Sequence, residues 1–301
     1  MANEHFSKGA AWIEGDIVPI SEAKISVLDW GLTRSDITYD VVHVWEGAFF
    51  RLEDYLDRFH ASIHSLRLDI AQSREDIAQI LHQMVAASGL TEAYVSMVAS
   101  RGVPSIPGSR DPRHCSNHFY AWAVPFVWVI KPEVAKRGAR LRVSDNTLRI
   151  SPQSVDPRVK NYHWGDMTKG LFEALDAGYD SAVLVDETGH ITEGPGFNIF
   201  AISSGKLLTP KSGVLEGITR QTVMEICQEM DMDVEVRAVS LAEILDAEEV
   251  FLSTTGGGVT PVTRINNKIF GNDSPGTLTK KISASYWALH KDEKYSQKIK
   301  Y

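Results

Sequence analysis

What most constrains the fold is the irregular order of short apolar runs along the 301 residues. Strand-type runs and helix-type periodicities follow one another without a repeating strand–helix–strand unit, which favours α+β over a doubly wound sheet. Four runs open the chain as two pairs. AAWI and DIVPI flank a Glu-Gly pair, VVHVW and FFRL flank Glu46-Gly47-Ala48, and each pair predicts a hairpin. Between Asp54 and Leu68, apolar Tyr55, Phe59, Ile63 and Leu66 recur near helical spacing. Residues 73–87 repeat the pattern, with Ser73 as N-cap and Asp76 three positions on. AYVSMVASR reads as a strand, the Gly-, Pro- and Ser-rich GVPSIPGSRDPRHCSN as a mobile loop, and 119–130 as a further strand. Residues 131–139 resemble a connector. Beyond it, RLRVS, SAVLVDE, ITEGPGFNIFAIS and KLLTP predict strands, punctuated by helices over 165–177, 219–230 and 240–246. The chain thus divides into domains at 1–130 and 131–301, and its length also suggests two domains.

Composition excludes several classes. With 43% hydrophobic and 23% charged residues, the chain can bury a large core without disulfides or a structural metal. Thirty-one basic against 39 acidic side chains give a net charge of −8, which argues against nucleic-acid or polybasic membrane partners. Cys115 and Cys227 lie far apart and form neither a metal cage nor a disulfide framework, so a reducing cytoplasm is expected. The longest apolar stretch, 120–130, is broken by Pro125 and too short to span a bilayer. The N-terminus carries no basic flank followed by an apolar region, so no secretory signal is expected. GxGxxG, Walker, HExxH and GxSxG motifs are absent. His43, His60, His64, His114 and His118 have no metal-ligand spacing, and no metal is expected.

Four segments carry chemistry. In DPRVKNYHWGD (156–166), Lys160 stands beside Tyr162 and Trp164, and a lysine desolvated among aromatics becomes nucleophilic. In ITEGPGFNIF (191–200), Glu193 precedes a Gly-Pro-Gly turn. In GVLEGITRQTVMEI (213–226), a helix begins at Ile218-Thr219, where free amides favour an anion. In STTGGGVTPV (253–262), three glycines between strands let backbone amides form an anion nest. Taken singly, each has an ordinary alternative: a surface lysine, a turn glutamate, a helix capped by Thr219, a flexible loop. Together they offer an amine, a carboxylate and two phosphate cradles, which suits pyridoxal 5'-phosphate (PLP).

The order of VKN (159–161), TEGPGFN (192–198), LEGITR (215–220) and STTGGG (253–258) resembles the class IV, or fold-type IV, PLP-dependent aminotransferases over nearly the whole chain. FFRLEDYLDRF (49–59) fits their N-terminal helix. RSDITYDVVHVW (34–45), KNYHWGDMTKGLFEA (160–174) and the tail 285–301 resemble, within that family, the (R)-selective amine:pyruvate transaminases. The resemblance implies a small N-terminal α/β domain, a larger strand-rich pseudo-barrel C-terminal domain, and a homodimer. It also implies roles. Lys160 would bind the cofactor as a Schiff base and move the proton between substrate Cα and cofactor C4′. Glu193 would pair with the pyridine nitrogen, and Leu215 would pack on the ring. Ile218 and Thr219 amides, the Thr255 hydroxyl and Arg58 would hold the phosphate. Tyr39, Val41, Trp164, Thr254 and Gly256 would line the substrate pocket. Arg110 would receive a substrate carboxylate. Arg34 stands where those transaminases usually carry histidine, and an arginine there would move preference toward D- or other amino acids. The reaction implied is ping-pong transfer from an (R)-amine or D-type donor to a keto acid such as pyruvate. The alternatives are a branched-chain or D-amino acid aminotransferase and an aminodeoxychorismate-lyase-like PLP lyase.

Overall fold

The computed structural model describes residues 4–301. The chain folds as two compact units, one comprising residues up to Val127 with Val159–Tyr162 and His290–Tyr301, the other Trp128–Arg158 and His163–Leu289.

The first unit contains β1 (Ala10–Ile13), β2 (Asp16–Pro19), α1 (Trp30–Arg34), β3 (Ile37–Trp45), β4 (Ala48–Phe50), α2 (Leu52–Ser65), α3 (Arg74–Ser88), β5 (Ala93–Pro104) and β6 (Cys115–Pro125). Its seven-stranded sheet runs in the order C-terminal strand, β4, β3, β5, β6, β1, β2. Both expected hairpins form. Glu46 and Gly47 sit at φ 48° and 77°, the left-handed pair that matches strand twist in a two-residue turn. Ser73 caps α3 in a reciprocal capping box with Asp76, as its spacing predicts. β5 and β6 pair from Ala93↔Pro125 to Pro104↔Cys115, so part of the expected 102–117 loop is ladder, leaving a turn over 105–114. The strand pattern extends because Gly102 lies so close to Ser116 that any side chain would collide with its carbonyl.

The second unit contains α4 (Pro132–Arg137), β7 (Ala139–Leu148), α5 (Gly165–Asp176), β8 (Ser181–Val185), β9 (Glu193–Gly194), β10 (Phe197–Ser203), β11 (Lys206–Pro210), α6 (Ile218–Glu229), β12 (Val234–Arg237), α7 (Leu241–Asp246), β13 (Glu249–Thr254), β14 (Gly258–Ile265), β15 (Lys268–Ile269) and α8 (Thr277–Ala288). Its nine-stranded sheet runs β12-β11-β10-β13-β14-β7-β8, with β9 on β10 and β15 on β14. Leu141, Val183, Ile199, Leu252 and Val262 are among its buried core. The fold is α+β with two sheets.

Residues 159–162 and 290–301, assigned from sequence to the C-terminal domain, cluster instead with the first unit. The reason lies in unpaired strand edges. β4 covers β3 only at Val44 and Trp45, and further along β3 the Tyr39 amide donates to Lys160 O (3.3 Å) while Thr38 Oγ1 donates to the same oxygen (2.7 Å). The C-terminal strand, β16 (Ser296–Lys298), adds to the outer edge of β4. Among the described residues no helix is long and apolar enough to cross a membrane.

Candidate active site

In the first unit, the Lys160 carbonyl accepts from Tyr39 N and Thr38 Oγ1, and its side chain lies along the face of Tyr39. Its Nζ is 4.6 Å from the centre of that ring. Tyr162 packs against the same residue, the two ring centroids 4.3 Å apart. Alternation along β3 puts Ile37, Tyr39 and Val41 on one face, and these cluster with Val98, Tyr94, Tyr120 and Tyr162. Burial raises the phenol pKa of Tyr162 and Tyr94 and pushes that of Tyr120 up to about 12, so these rings stay neutral. The aromatic ring at the Lys160 amine is that of Tyr39, with Tyr162, one of the two aromatics expected from sequence, packed on Tyr39.

The opposite face of β3 carries Asp40. Its buried carboxylate accepts from Arg58 Nε (2.8 Å) and Nη2 (2.7 Å), a bidentate pair that orients the guanidinium on α2. Burial opposes the charge on Arg58, and Asp40 more than offsets it, so the Arg58 pKa is raised. Arg34 is exposed at the end of α1 with its guanidinium 3.3 Å from the centre of the Trp30 ring, and Arg110 is exposed in the β5–β6 turn.

In the second unit the remaining residues converge. β9 and β10 place Glu193 opposite Asn198, and β10 places Asn198 opposite Ser253 of β13. Glu193 is 7% exposed and accepts from three directions: Arg149 Nη2 (3.0 Å) at Oε1, and Leu215 N (2.9 Å) and Asn198 Nδ2 (3.3 Å) at Oε2. Asn198 also donates to Leu215 O (2.9 Å), which fixes the chain entering α6. Arg149 extends the network through Nη1 to Asp166 (2.6 Å). Thr254 Oγ1 donates to Gly196 O (2.7 Å) and accepts from the Gly256 amide (3.3 Å), tying the β13–β14 turn to the β9–β10 turn. Thr255 and Gly256 lie in that turn, and Trp164, 38% exposed, stands just before α5 near Gly196.

The start of α6 has the properties of an anion cradle. No side chain caps it at Gly217, so its first amides are left for another partner. Gly217 leaves room there for Asn198, since a Cβ would sit 2.4 Å from Asn198 Oδ1 and that side chain would have to shift. Thr219 is 2% exposed and its Oγ1 has no hydrogen-bond partner among the described residues. A buried hydroxyl left unbonded is costly, and a phosphate oxygen at this place would satisfy it. The second unit therefore has residues that fit PLP, a carboxylate held ready for a ring nitrogen and an uncapped helix with an unsatisfied hydroxyl for a phosphate; the first unit, by itself, holds an amine against an aromatic ring.

The chain matches the class IV amino-transferase family over residues 38–265. It belongs to that family. Its relatives include a putative branched-chain-amino-acid aminotransferase of Methanocaldococcus jannaschii, 29% identical, with 91% of this chain and 94% of that protein covered. The branched-chain-amino-acid aminotransferase of Escherichia coli K12 is 26% identical, covering 94% and 93%. Among solved structures, the T.th. branched-chain amino acid aminotransferase complexed with N-(5'-phosphopyridoxyl)-L-glutamate superposes with a TM-score of 0.88 at 26% identity, over 97% of this chain and 99% of that one. The same enzyme with pyridoxamine 5'-phosphate gives 0.89. This class IV aminotransferase thus resembles proteins named for branched-chain substrates rather than for (R)-amines.

Sequence reasoning missed Arg149, Asp166 and Asn198. Asn198 stood within the TEGPGFN motif without a role. Arg149, at the end of an ordinary strand, carried no sequence signal for its pairing with Glu193.

Proposed function

We propose that this aminotransferase works with PLP and transfers an amino group from an (R)-amine or D-type donor bearing an aryl or branched apolar group to a keto acid such as pyruvate. The observation that carries the donor class is the wall beside Lys160, built from Ile37, Tyr39, Val41 and Val98 with Tyr94, Tyr120 and Tyr162. It offers the half-buried rings of Tyr94, Tyr120 and Tyr162, backed by buried Ile37, Val41 and Val98. Handedness is supported by the likeness of segments 34–45 and 160–174 to (R)-selective transaminases. The names of the relatives favour a second reading, a branched-chain amino acid donor, whose side chain suits the same wall.

Each residue then has a task. Bound PLP supplies an electron sink for the negative charge left when the donor loses its Cα proton. Lys160 would hold the cofactor covalently at rest; displaced by the donor amine, its neutral amine would take the proton from substrate Cα and return it at the cofactor's C4′. Glu193, oriented by Arg149, Asn198 and Leu215, keeps a proton at the pyridine nitrogen. The amides of Ile218 and Thr219, the hydroxyls of Thr219 and Thr255, and Arg58 hold the phosphate. Leu215 packs on the ring, and Trp164, Thr254 and Gly256 border the substrate. Arg34 or Arg110 receives a carboxylate when the substrate carries one. The homodimer is supported by Val27, Leu28 and Leu32, 74%, 66% and 60% exposed in one short segment.

The test is a donor panel, (R)- and (S)-1-phenylethylamine, D-alanine and L-leucine, each with pyruvate or 2-oxoglutarate. Turnover of (R)-1-phenylethylamine above L-leucine is the expected result. L-leucine with 2-oxoglutarate as the best pair overturns it in favour of the second reading. Amine-driven conversion of bound PLP to the pyridoxamine form excludes a lyase.

A further inference from the structure

A buried cation stands at the start of α6 with no anion bonded to it among the described residues. Arg220 is 5% exposed. Its Nε donates to Thr209 Oγ1 (3.3 Å) and its Nη2 to Pro210 O (2.9 Å), both neutral acceptors on β11. Burial pulls its pKa down, and Glu216 and Glu193 counter this only through space. Buried arginines are ordinarily paired with a carboxylate, because an uncompensated charge in a dry interior is destabilising. The same turn holds the uncapped amides and the unsatisfied Thr219 hydroxyl. Arg220 follows Thr219 directly in the first turn of α6, and the bonds to Thr209 and Pro210 hold its guanidinium still, so its positive charge is fixed and is added to that of the helix dipole.

We propose that Arg220 is a positioning residue that acts on the cofactor's phosphate through space, its fixed buried charge selecting a dianionic group at the α6 start. The proposal rests on PLP being the cofactor and concerns only how the phosphate is recognised. Arg220 belongs to the LEGITR segment, where the sequence suggested amides alone. Its bonds point to β11, so it fixes the field of the cradle while the amides and Thr219 make the contacts. Without an anion the charge is a liability, and with one it becomes an asset; a residue present only for its hydrogen bonds would have no such reversal.

The experiment uses the apoenzyme of wild type, R220Q and R220K, titrated by fluorescence with PLP, with pyridoxal (the same ring without phosphate) and with inorganic phosphate. R220Q keeps a donor for Pro210 O and loses the charge; R220K keeps the charge. The expected result is a loss of roughly ten-fold or more in R220Q for PLP and inorganic phosphate, with pyridoxal binding unchanged and R220K close to wild type. Equal losses for PLP and pyridoxal overturn the proposal, because the charge would then act on the ring through Glu193. Equal losses in R220Q and R220K also overturn it, in favour of a hydrogen-bonding scaffold, as does no loss at all. Thermal unfolding provides a second readout: R220Q should melt at or above wild type as apoenzyme and below it with PLP bound. A similar drop in both forms, or an R220Q apoenzyme that fails to fold, refutes the idea. Failure of the wild type to bind PLP would instead remove the cofactor reading.

Discussion

Arg149→Leu tests the network behind Glu193. The Arg149 guanidinium bridges Asp166 (2.6 Å) and Glu193 (3.0 Å), and the three side chains are 8%, 12% and 9% exposed. Removing one partner of a buried ion pair costs about 3–5 kcal/mol, because the remaining charge loses its compensation without regaining water. Here the loss falls toward the lower end. Asp166 keeps the amides of Ile150 and Met167 (2.8 Å each), and Glu193 keeps Leu215 N and Asn198 Nδ2. At roughly 2–4 °C per kcal/mol for a unit of this size, a loss of about 3 kcal/mol lowers the melting temperature by about 6–12 °C. Leucine fills much of the arginine's volume, so the deficit reports charge more than packing. Arg149→Lys keeps the cation and one contact, and should lose about half as much. Calorimetry on the three apoenzymes measures this, with far-UV circular dichroism confirming the native fold before heating. An Arg149→Leu apoenzyme melting within about 2 °C of wild type would refute the reasoning. Equal deficits in the leucine and lysine variants would also refute it, by assigning the effect to shape rather than charge.

Lys160→Ala should abolish amino transfer while changing stability by less than about 1 kcal/mol. Its backbone carbonyl, not its side chain, accepts the bonds from Tyr39 and Thr38. Retained turnover would remove Lys160 from the chemistry. Asp29→Asn should destabilise the protein near neutral pH in a pH-dependent way. Burial alone would raise the Asp29 pKa, but bonds from His118 (2.6 Å), Ser100 (2.5 Å) and the Gly31 amide (2.7 Å) prevail and hold it below the usual 3.8. A carboxyl whose folded pKa is depressed contributes stability above its unfolded value and loses it as pH falls through the folded value. Urea midpoints of the variant and wild type should therefore converge below about pH 4, and a constant gap down to lower pH would contradict the assigned charge.

Much of this architecture was legible because its signals are local. Glu46-Gly47 permits the left-handed pair of a tight turn, and Ser73 with Asp76 completes a capping box inside one helical turn. Glu193, the α6 start at Ile218-Thr219 and the three-glycine turn after Thr255 stood out as short motifs, since a turn or a helix start is written in a short stretch, whereas roles for Leu215, Thr254 and Gly256 came from the family resemblance. α1, α4 and α8 escaped the sequence reading, α4 forming within the 131–139 segment expected to be a connector. α1 is a single turn of five residues, too short for a helical period to show; Asp29 caps it locally through the Gly31 amide and is also bound by Ser100 and His118 from more than seventy residues away.

By itself, the sequence determined the α+β class, the hairpins, the capped helices and the inventory of reactive groups, all of which depend on neighbours within about one turn of chain. Tertiary structure alone decided which groups meet. It carried Lys160 onto the free edge of β3 against Tyr39, paired Arg58 with Asp40, and set Arg149 between Asp166 and Glu193. Arg58 finds its carboxylate 18 residues away, and the Lys160 carbonyl meets the Thr38 hydroxyl across 122. The physical reason is that buried charges and unpaired strand edges must find complements wherever the fold supplies them. Such complements lie outside any local stretch of chain, so only the folded arrangement could name them.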